Sequence, residues 1–93
     1  MISRDGDRLV ISGAMTFAEA SELAAAVPQC FDCHALMIDL GQVERVDSSA
    51  LGVLFEWLRE AAKRNCQLRF QNPPPSLRTL ADLYGVSELI DSR

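Results

Sequence analysis

The chain has 93 residues, 48% of them hydrophobic and 24% charged, with a formal net charge of −4, which is typical of one globular domain with a small core. The charge is spread along the chain without a basic run, so neither nucleic acid nor an anionic membrane surface is expected as a direct partner. No apolar stretch approaches the ~20 residues that span a bilayer, and the N-terminus MISRDGDRLV lacks the pattern of a signal peptide, so we expect one cytoplasmic domain over residues 1–93.

The first segment predicts a β-hairpin followed by a capped helix. Asp-Gly-Asp at residues 5–7 separates two short alternating runs, residues 2–4 and 8–12, and Asp-Gly between such runs favours a tight turn. Thr16 and Glu19 have the spacing of a capping box, in which each side chain accepts a hydrogen bond from the other residue's backbone amide. We therefore expect two antiparallel strands and then a helix.

Apolar residues at helical spacing continue from this cap to Pro28, which ends the helix. The predicted core positions of the first helix are Phe17, Ala20, Leu23, Ala24 and Val27. Residues 34–40 then form a nearly continuous apolar run, which is typical of a central strand covered on both faces. A short strand-like segment follows at residues 43–46.

A second helix is predicted over about residues 48–64, with Asn65 suited to its C-terminal end. Asp47, Ser48 and Ser49 are all good N-cap residues, because a short side-chain oxygen can accept a hydrogen bond from the free amides of the first turn. The predicted core stripe of this helix consists of Leu51, Leu54, Phe55, Leu58, Ala61 and Ala62. Beyond capping, an exposed serine here could serve as a switch or docking point, since a phosphate on it would lie at the positive end of the helix dipole.

The remaining elements are a fourth strand and a third helix. Residues 67–71, QLRFQ, alternate as a strand does. The prolines at 73–75 stiffen the next turn, Ser76 begins a helix and Gly85 suits its end, while residues 87–90 are compatible with one more helical turn. The order β-β-α-β-α-β-α predicts a single α/β domain, a small mixed sheet of about four or five strands with helices packed on it.

The cysteine-rich segment at Cys30, Cys33 and His34 spells C-F-D-C-H, formally the attachment pattern of a c-type haem. Haem attachment would require export, and the histidine leads directly into a predicted strand. A thioredoxin-like pair should open a helix, where the dipole lowers the thiol pKa, and a zinc site needs four ligands although only Cys66 remains. We therefore expect no cofactor and no metal here, but reduced cysteines in a loop.

The chain contains no residue pattern typical of an enzyme. It has only five glycines and no Gly-rich phosphate loop, and its single histidine lies beside two cysteines. Asp39, Glu44 and Asp47 precede the second helix and could hold a divalent cation, but carboxylates so spaced more often solvate a loop. We therefore expect a non-catalytic binding module.

A second apolar strip on the second helix, formed by Ala50, Val53 and Trp57, lies to one side of the predicted core stripe. A helix on one face of a small sheet does not need a second strip for its own packing. We therefore expect this strip to be exposed beside the serines, where tryptophan is a common interface anchor. The alternative is that Trp57 packs beneath a neighbouring helix.

With the elements placed, the chain resembles the STAS family, the small α/β domain shared by sulfate transporters and anti-sigma-factor antagonists. The resemblance rests on Leu-Met-Ile-Asp-Leu at residues 36–40, on Val-Asp-Ser-Ser-Ala-Leu at residues 46–51 and on the amphipathic helix that follows. These segments occur in the family's order and spacing, and the resemblance covers essentially the whole chain. It implies a domain that acts by binding a partner protein.

Two branches of the family imply different partners. In anti-sigma-factor antagonists the second serine of Asp-Ser-Ser-Gly-Leu-Gly is phosphorylated by a kinase that is also the anti-sigma factor; that serine would be Ser49, and Ala50 stands where glycine is usual. The cytoplasmic STAS subunits of Mla-type phospholipid ABC transporters have a similar length, a similar Asp-Ser/Thr loop and a similar ending, LADLYGV at residues 80–86. In that branch the first hydroxyl, here Ser48, faces the ATPase subunit, with the third-helix tyrosine, here Tyr84, nearby.

The ending favours the transporter branch, so we expect the partner to be the ATPase subunit of an ABC complex, with the anti-sigma factor kinase as the alternative. The domain would then lie at the inner face of the membrane through its partner, and neighbouring genes would distinguish the two branches. Ser49 and Ser48 are the candidate phosphorylation sites. The expected partner-binding residues are Asp47, Ser48, Ser49, Ala50, Leu51, Val53, Trp57 and Tyr84.

Overall fold

The computed structural model describes residues 2–32 and 34–89, with the backbone alone for Leu89. Its strands are β1 (Ile2–Asp5), β2 (Arg8–Met15), β3 (Ala35–Val46) and β4 (Gln67–Gln71). Its helices are α1 (Phe17–Ala26), α2 (Ser49–Lys63) and α3 (Pro75–Leu83), with 3-10 turns at Val27–Cys30 and Ser87–Leu89. The predicted order β-β-α-β-α-β-α and the α/β class are confirmed. Cys33 of the cysteine motif and Ile90 of the predicted last turn lie outside the described residues.

The four strands form one mixed sheet in the order β1-β2-β3-β4. β1 and β2 are the predicted antiparallel hairpin, and Gly6 in its turn has a φ of +64°, a conformation that costs glycine little. β2 pairs with β3, and β3 with β4, in parallel. Helices α1 and α2 are therefore the crossover connections that parallel neighbours require.

Strand β3 is covered by the helices on one face and carries a carboxylate on the other. Its buried apolar residues on the helix side are Leu36, Ile38 and Leu40. At the alternating positions Ala35 is exposed, Met37 is half-buried and Asp39 is only 7% exposed. Asp39 pairs with the Arg8 guanidinium and accepts a hydrogen bond from Asn72 at 3.3 Å. The prediction that this strand is covered on both faces is therefore wrong for the second face, where Ala35 is exposed and Asp39 is held in a polar network.

The N-termini of α1 and α2 lie side by side at one edge of the sheet. The register pairs Met15, the last residue of β2, with Val46, the last residue of β3. Because α1 begins two residues after β2 and α2 begins three residues after β3, the two helices start next to each other. The last residue of β4, Gln71, instead pairs with Asp39, so α3 begins well back from that edge.

The hydrophobic core lies between the sheet and the helices. Its largest fully buried side chains are Trp57, Leu9, Ile11, Met15, Leu36, Ile38, Leu40, Leu54, Leu77 and Val27. Across residues 2–32 and 34–89, no helix combines the length and the apolar character that crossing a membrane would require.

The face of α2 that enters the core is centred on Trp57 and not on Phe55. The buried residues of α2 are Ala50, Leu51, Val53, Leu54, Trp57 and Ala61. Phe55 is 48% exposed and Ala62 is exposed, so the predicted stripe is wrong at these two positions. The core face therefore combines Leu51, Leu54 and Ala61 of the predicted stripe with the strip that carries Trp57, whose large apolar area favours its burial. The indole Nε1 donates a hydrogen bond to the Leu23 carbonyl at 3.0 Å, so its polar atom is also satisfied.

Helix α1 has the predicted capping box between Thr16 and Glu19. The core face of α1 is set by Leu23 and Val27, both buried. Phe17, the first residue of the helix, lies about a quarter turn away from that face and is 81% exposed. The prediction that Phe17 belongs to the core is therefore wrong.

Candidate partner-binding site at the helix N-termini

The centre of the site is the carboxylate of Asp47, which binds the first turns of two helices at once. Its Oδ1 accepts a hydrogen bond from the Ser49 amide at 2.9 Å, and its Oδ2 accepts one from the Phe17 amide at 3.0 Å. These amides belong to the first residues of α2 and α1, which have no partner within their own helices. A single side chain therefore joins the starts of both helices.

The electrostatics of this contact favour the ionised carboxylate. The hydrogen bond from the Phe17 amide, together with those from the amide and hydroxyl of Ser49, lowers the pKa of Asp47 and outweighs the opposing effect of burial. The positive ends of two helix dipoles meet here, and a negative charge is stabilising at each of them. Asp47 is therefore a fixed negative charge at neutral pH.

Ser48 and Ser49 occupy different environments although they are adjacent. Ser48 is the N-cap by position, but its hydroxyl makes no capping hydrogen bond, and the residue is exposed. Ser49 is half-buried, its amide donates a hydrogen bond to Asp47, and its hydroxyl contributes to the lowered pKa of that carboxyl. Of the three candidate caps, Asp47 performs the capping, which leaves the Ser48 hydroxyl available to another molecule.

Four of the expected partner-binding residues lie in the core of the free domain. Ala50 and Trp57 have no exposed surface, and Leu51 and Val53 are 5% and 4% exposed. The expectation that Ala50, Val53 and Trp57 form an exposed strip is wrong, because all three residues are part of the core face of α2. A partner that binds the folded domain meets neighbouring residues instead.

Tyr84 remains accessible at the far end of α3. It is 56% exposed, and the preceding Leu83 is 75% exposed. Gly85 follows with a φ of +71°, as expected for a residue that ends a helix. Tyr84 and Ser48 thus belong to ends of different helices, α3 and α2, which pack against each other.

Sequence reasoning missed Phe17 and the groove beside it. An open groove of about 580 Å³ runs between α1 and α2, with Phe17, Ala20 and Ala24 on one side and Ser49, Gly52 and Glu56 on the other. A helical wheel centred on Leu23 and Val27 would have placed Phe17 outside the core. A large exposed aromatic ring next to an open groove is characteristic of surfaces that bind other molecules.

The candidate metal ligands do not assemble among the residues that the structure describes. No three His, Cys, Asp or Glu side chains in residues 2–32 and 34–89 are placed so that they could hold an ion. Asp39 is engaged by Arg8, and Asp47 by backbone amides. Cys30 is half-buried, while His34 is exposed.

Comparison with known proteins places this geometry in a family. The family profile described as "Mlab, STAS domain" matches residues 1–91. The Intermembrane phospholipid transport system binding protein MlaB of Haemophilus influenzae is 40% identical over 52 residues, which is 56% of this chain and 50% of that protein. The match thus spans about half the length of this curated relative.

Solved structures share the fold over nearly the whole chain. The anti-sigma factor antagonist SpoIIAA in its unphosphorylated form has a TM-score of 0.77 at 13% identity, covering 100% of this chain and 86% of that one. A sulfate transporter family protein from Wolinella succinogenes has a TM-score of 0.71 at 18% identity, covering 91% and 70%. An anti-sigma factor antagonist from Mycobacterium paratuberculosis has a TM-score of 0.70 at 22% identity, covering 97% and 80%. The chain therefore belongs to the STAS domain family, as its sequence segments indicate.

Proposed function

We propose that this STAS domain is a non-catalytic binding subunit that docks on the ATPase subunit of a phospholipid-transporting ABC complex and regulates or stabilises it. The family profile and the partial match to a phospholipid transport binding protein support this assignment. Its place in the cell would be the cytoplasm, at the inner face of the membrane through its partner.

The observation that carries the proposal is the exposed surface at the start of α2. Ser48 presents a hydroxyl that the fold does not use for capping, and Phe17 presents a nearly free ring on the adjoining helix. The groove between α1 and α2 continues this surface. An aromatic anchor beside a polar group and an open groove of mixed apolar and polar lining has the composition of a protein-binding site.

The proposed subunit would act through its partner's conformational equilibrium. A subunit that prefers one conformation of the ATPase shifts the population toward that conformation by its differential affinity, and no further. Binding should therefore change the stability of the ATPase or of its assembled dimer, and with it the rate of ATP hydrolysis.

The test is a titration of the purified domain into the purified ATPase subunit from the same genome, followed by isothermal calorimetry and by an ATPase assay. Saturable binding with a changed hydrolysis rate supports the proposal. Failure to bind, together with ATP-dependent addition of phosphate to Ser49 by an anti-sigma factor kinase, would support the antagonist function instead. Intact-mass spectrometry detects that phosphate directly.

The surroundings of Ser49 bear on the alternative function, an anti-sigma-factor antagonist that is phosphorylated at this residue. Ser49 is half-buried, and its hydroxyl helps to lower the pKa of the Asp47 carboxyl, so phosphorylation would remove a contribution that stabilises this carboxylate. A phosphate there would also lie beside a carboxylate of the same sign. Docking at the exposed Ser48 hydroxyl adds no charge beside Asp47, and this favours docking at Ser48 over modification of Ser49.

A further inference from the structure

The junction of α1 and α2 depends on one side chain contributed by neither helix. Asp47 lies in the connection after β3, and its two carboxylate oxygens accept hydrogen bonds from Phe17 and Ser49. Phe17 and Ser48 are the exposed residues on either side of this junction. The carboxylate therefore joins the backbone of Phe17 to the backbone of the residue that follows Ser48.

We propose that Asp47 is the positioning residue of the partner-binding surface, holding Phe17 of α1 and Ser48 of α2 in one arrangement that the partner recognises as a unit. This inference rests on the proposed function, and it identifies the residue that sets the geometry of the partner-binding surface. The partner surface that fits this arrangement has an apolar pocket for the Phe17 ring and, next to it, a polar group that hydrogen-bonds the Ser48 hydroxyl.

The chemistry of the contact explains why a carboxylate is needed. Both oxygens of an ionised aspartate accept hydrogen bonds, so one side chain can serve two amides. An asparagine of the same shape has one acceptor oxygen and one NH₂ group, which would meet the second amide donor to donor. Asp47→Asn therefore removes the link between the helices while it preserves the volume of the side chain.

The link also leaves Ser48 free for a partner. Because Asp47 binds the Ser49 amide, the first turn of α2 does not need the Ser48 hydroxyl as a cap. The register of β2 and β3 already brings the helix starts together, so the fold does not depend on this one contact for its topology. Loss of the contact should therefore disturb the relative positions of Phe17 and Ser48 more than it lowers the stability of the domain.

The experiment is a binding cycle with the purified ATPase subunit, using wild type, Asp47→Asn, Phe17→Ala and the double variant. We expect each single substitution to weaken binding by tenfold or more. The double variant should be no more than about threefold weaker than either single variant, because Phe17 contributes only while Asp47 holds it in place. The inference would be overturned if the fold-loss of affinity in the double variant equalled the product of the two single losses. Wild-type affinity for Asp47→Asn would also overturn it. Asp82→Asn, a change at an exposed aspartate of α3, is the matched control and should bind as wild type does.

A second measurement applies to the unsubstituted domain and does not depend on the partner. In a pH titration followed by nuclear magnetic resonance, the amide signals of Phe17 and Ser49 should shift together with one midpoint, below the usual pKa of an aspartate. Separate midpoints would overturn the positioning role even if the ATPase binds. Absence of ATPase binding by the wild-type domain would instead overturn the proposed function, together with this role for Asp47 in it.

Discussion

The start and the middle of α2 differ in exposure: the start presents side chains to solvent, and the middle contributes to the core. At the first turn Ser48 faces solvent and its hydroxyl is unused by the helix. Two turns further along, Trp57 is fully buried and its indole bonds the backbone of α1 at Leu23. The same helix therefore supplies an accessible surface at its start and the largest core side chain at its centre. Substitution of Ser48 should weaken partner binding and leave folding nearly unchanged, whereas substitution of Trp57 should destabilise the fold.

The largest expected effect on folding is that of Trp57→Ala. Emptying a fully buried aromatic site should destabilise the domain by about 3–5 kcal/mol. Urea denaturation followed by circular dichroism measures this change. Trp57→Phe is the control, since it keeps most of the volume and removes the hydrogen bond to Leu23, and it should cost less. A loss below about 1 kcal/mol for Trp57→Ala would mean that the indole is not a core residue, and the comparison between the two parts of α2 would fail.

A smaller effect on folding is expected from Asp39→Asn. Asp39 is largely buried, which by itself raises its pKa, but the hydrogen bonds from Arg8, the Gly41 amide and Asn72 together lower it. Since the folded-state pKa lies below the unfolded one, the ionised carboxylate stabilises the fold above the unfolded value, and this stability is lost as pH falls through the folded value. Asp39→Asn should cost about 2 kcal/mol at pH 7.

Urea denaturation between pH 7 and pH 3 tests this sign. Wild type should lose stability as the pH falls below about 4, and the Asp39→Asn variant should lose less over the same interval. An equal loss in both proteins would show that other carboxyl groups carry the acid sensitivity. Asp82→Asn again serves as the exposed control.

The next prediction concerns Gly52, on the groove side of α2. An added Cβ at this position meets no atom within 4 Å, and the backbone is helical. Gly52→Ala should therefore stabilise the domain by about 0.5–1 kcal/mol, because alanine loses less backbone entropy in a helix. Gly85→Ala is the matched control: its added Cβ also meets nothing, but its φ of +71° disfavours alanine, so the melting temperature should fall. A loss of stability in Gly52→Ala would indicate that another part of the free domain packs against Gly52 and leaves no room for the added methyl group.

Local sequence patterns predicted the elements of the fold well. The hairpin at Gly6, the capping box at Thr16 and the strand Gln67–Gln71 all depend on neighbours in sequence, and all are confirmed. Asn65, at the end of α2, has the positive φ of a helix-ending residue, also as expected. These features are local because turn and cap chemistry involves residues only a few positions apart.

Packing between elements was not predictable in the same way. Periodicity shows that α2 has apolar residues around much of its circumference, but not which strip the sheet will cover. The contact from Asp47 to Phe17 joins residues thirty positions apart, and it depends on the register of β2 with β3. The role of Ser48 stays a prediction from the likeness to the STAS family, whereas the exposure of Phe17 depends on how α1 packs against the rest of the domain.

The affinity of the Ser48→Arg variant for the ATPase subunit tests the proposed docking surface most directly. Of the substitutions considered, Ser48→Arg should have the smallest effect on folding. Ser48 is exposed and makes no capping hydrogen bond, so arginine should leave the melting temperature within a few degrees of wild type while it blocks the surface. Ser76→Arg is the matched control, an exposed serine in the first turn of α3. We predict that calorimetry shows no measurable binding for Ser48→Arg and wild-type affinity for Ser76→Arg. Wild-type affinity for a folded Ser48→Arg domain would contradict the account, since the partner would then bind elsewhere.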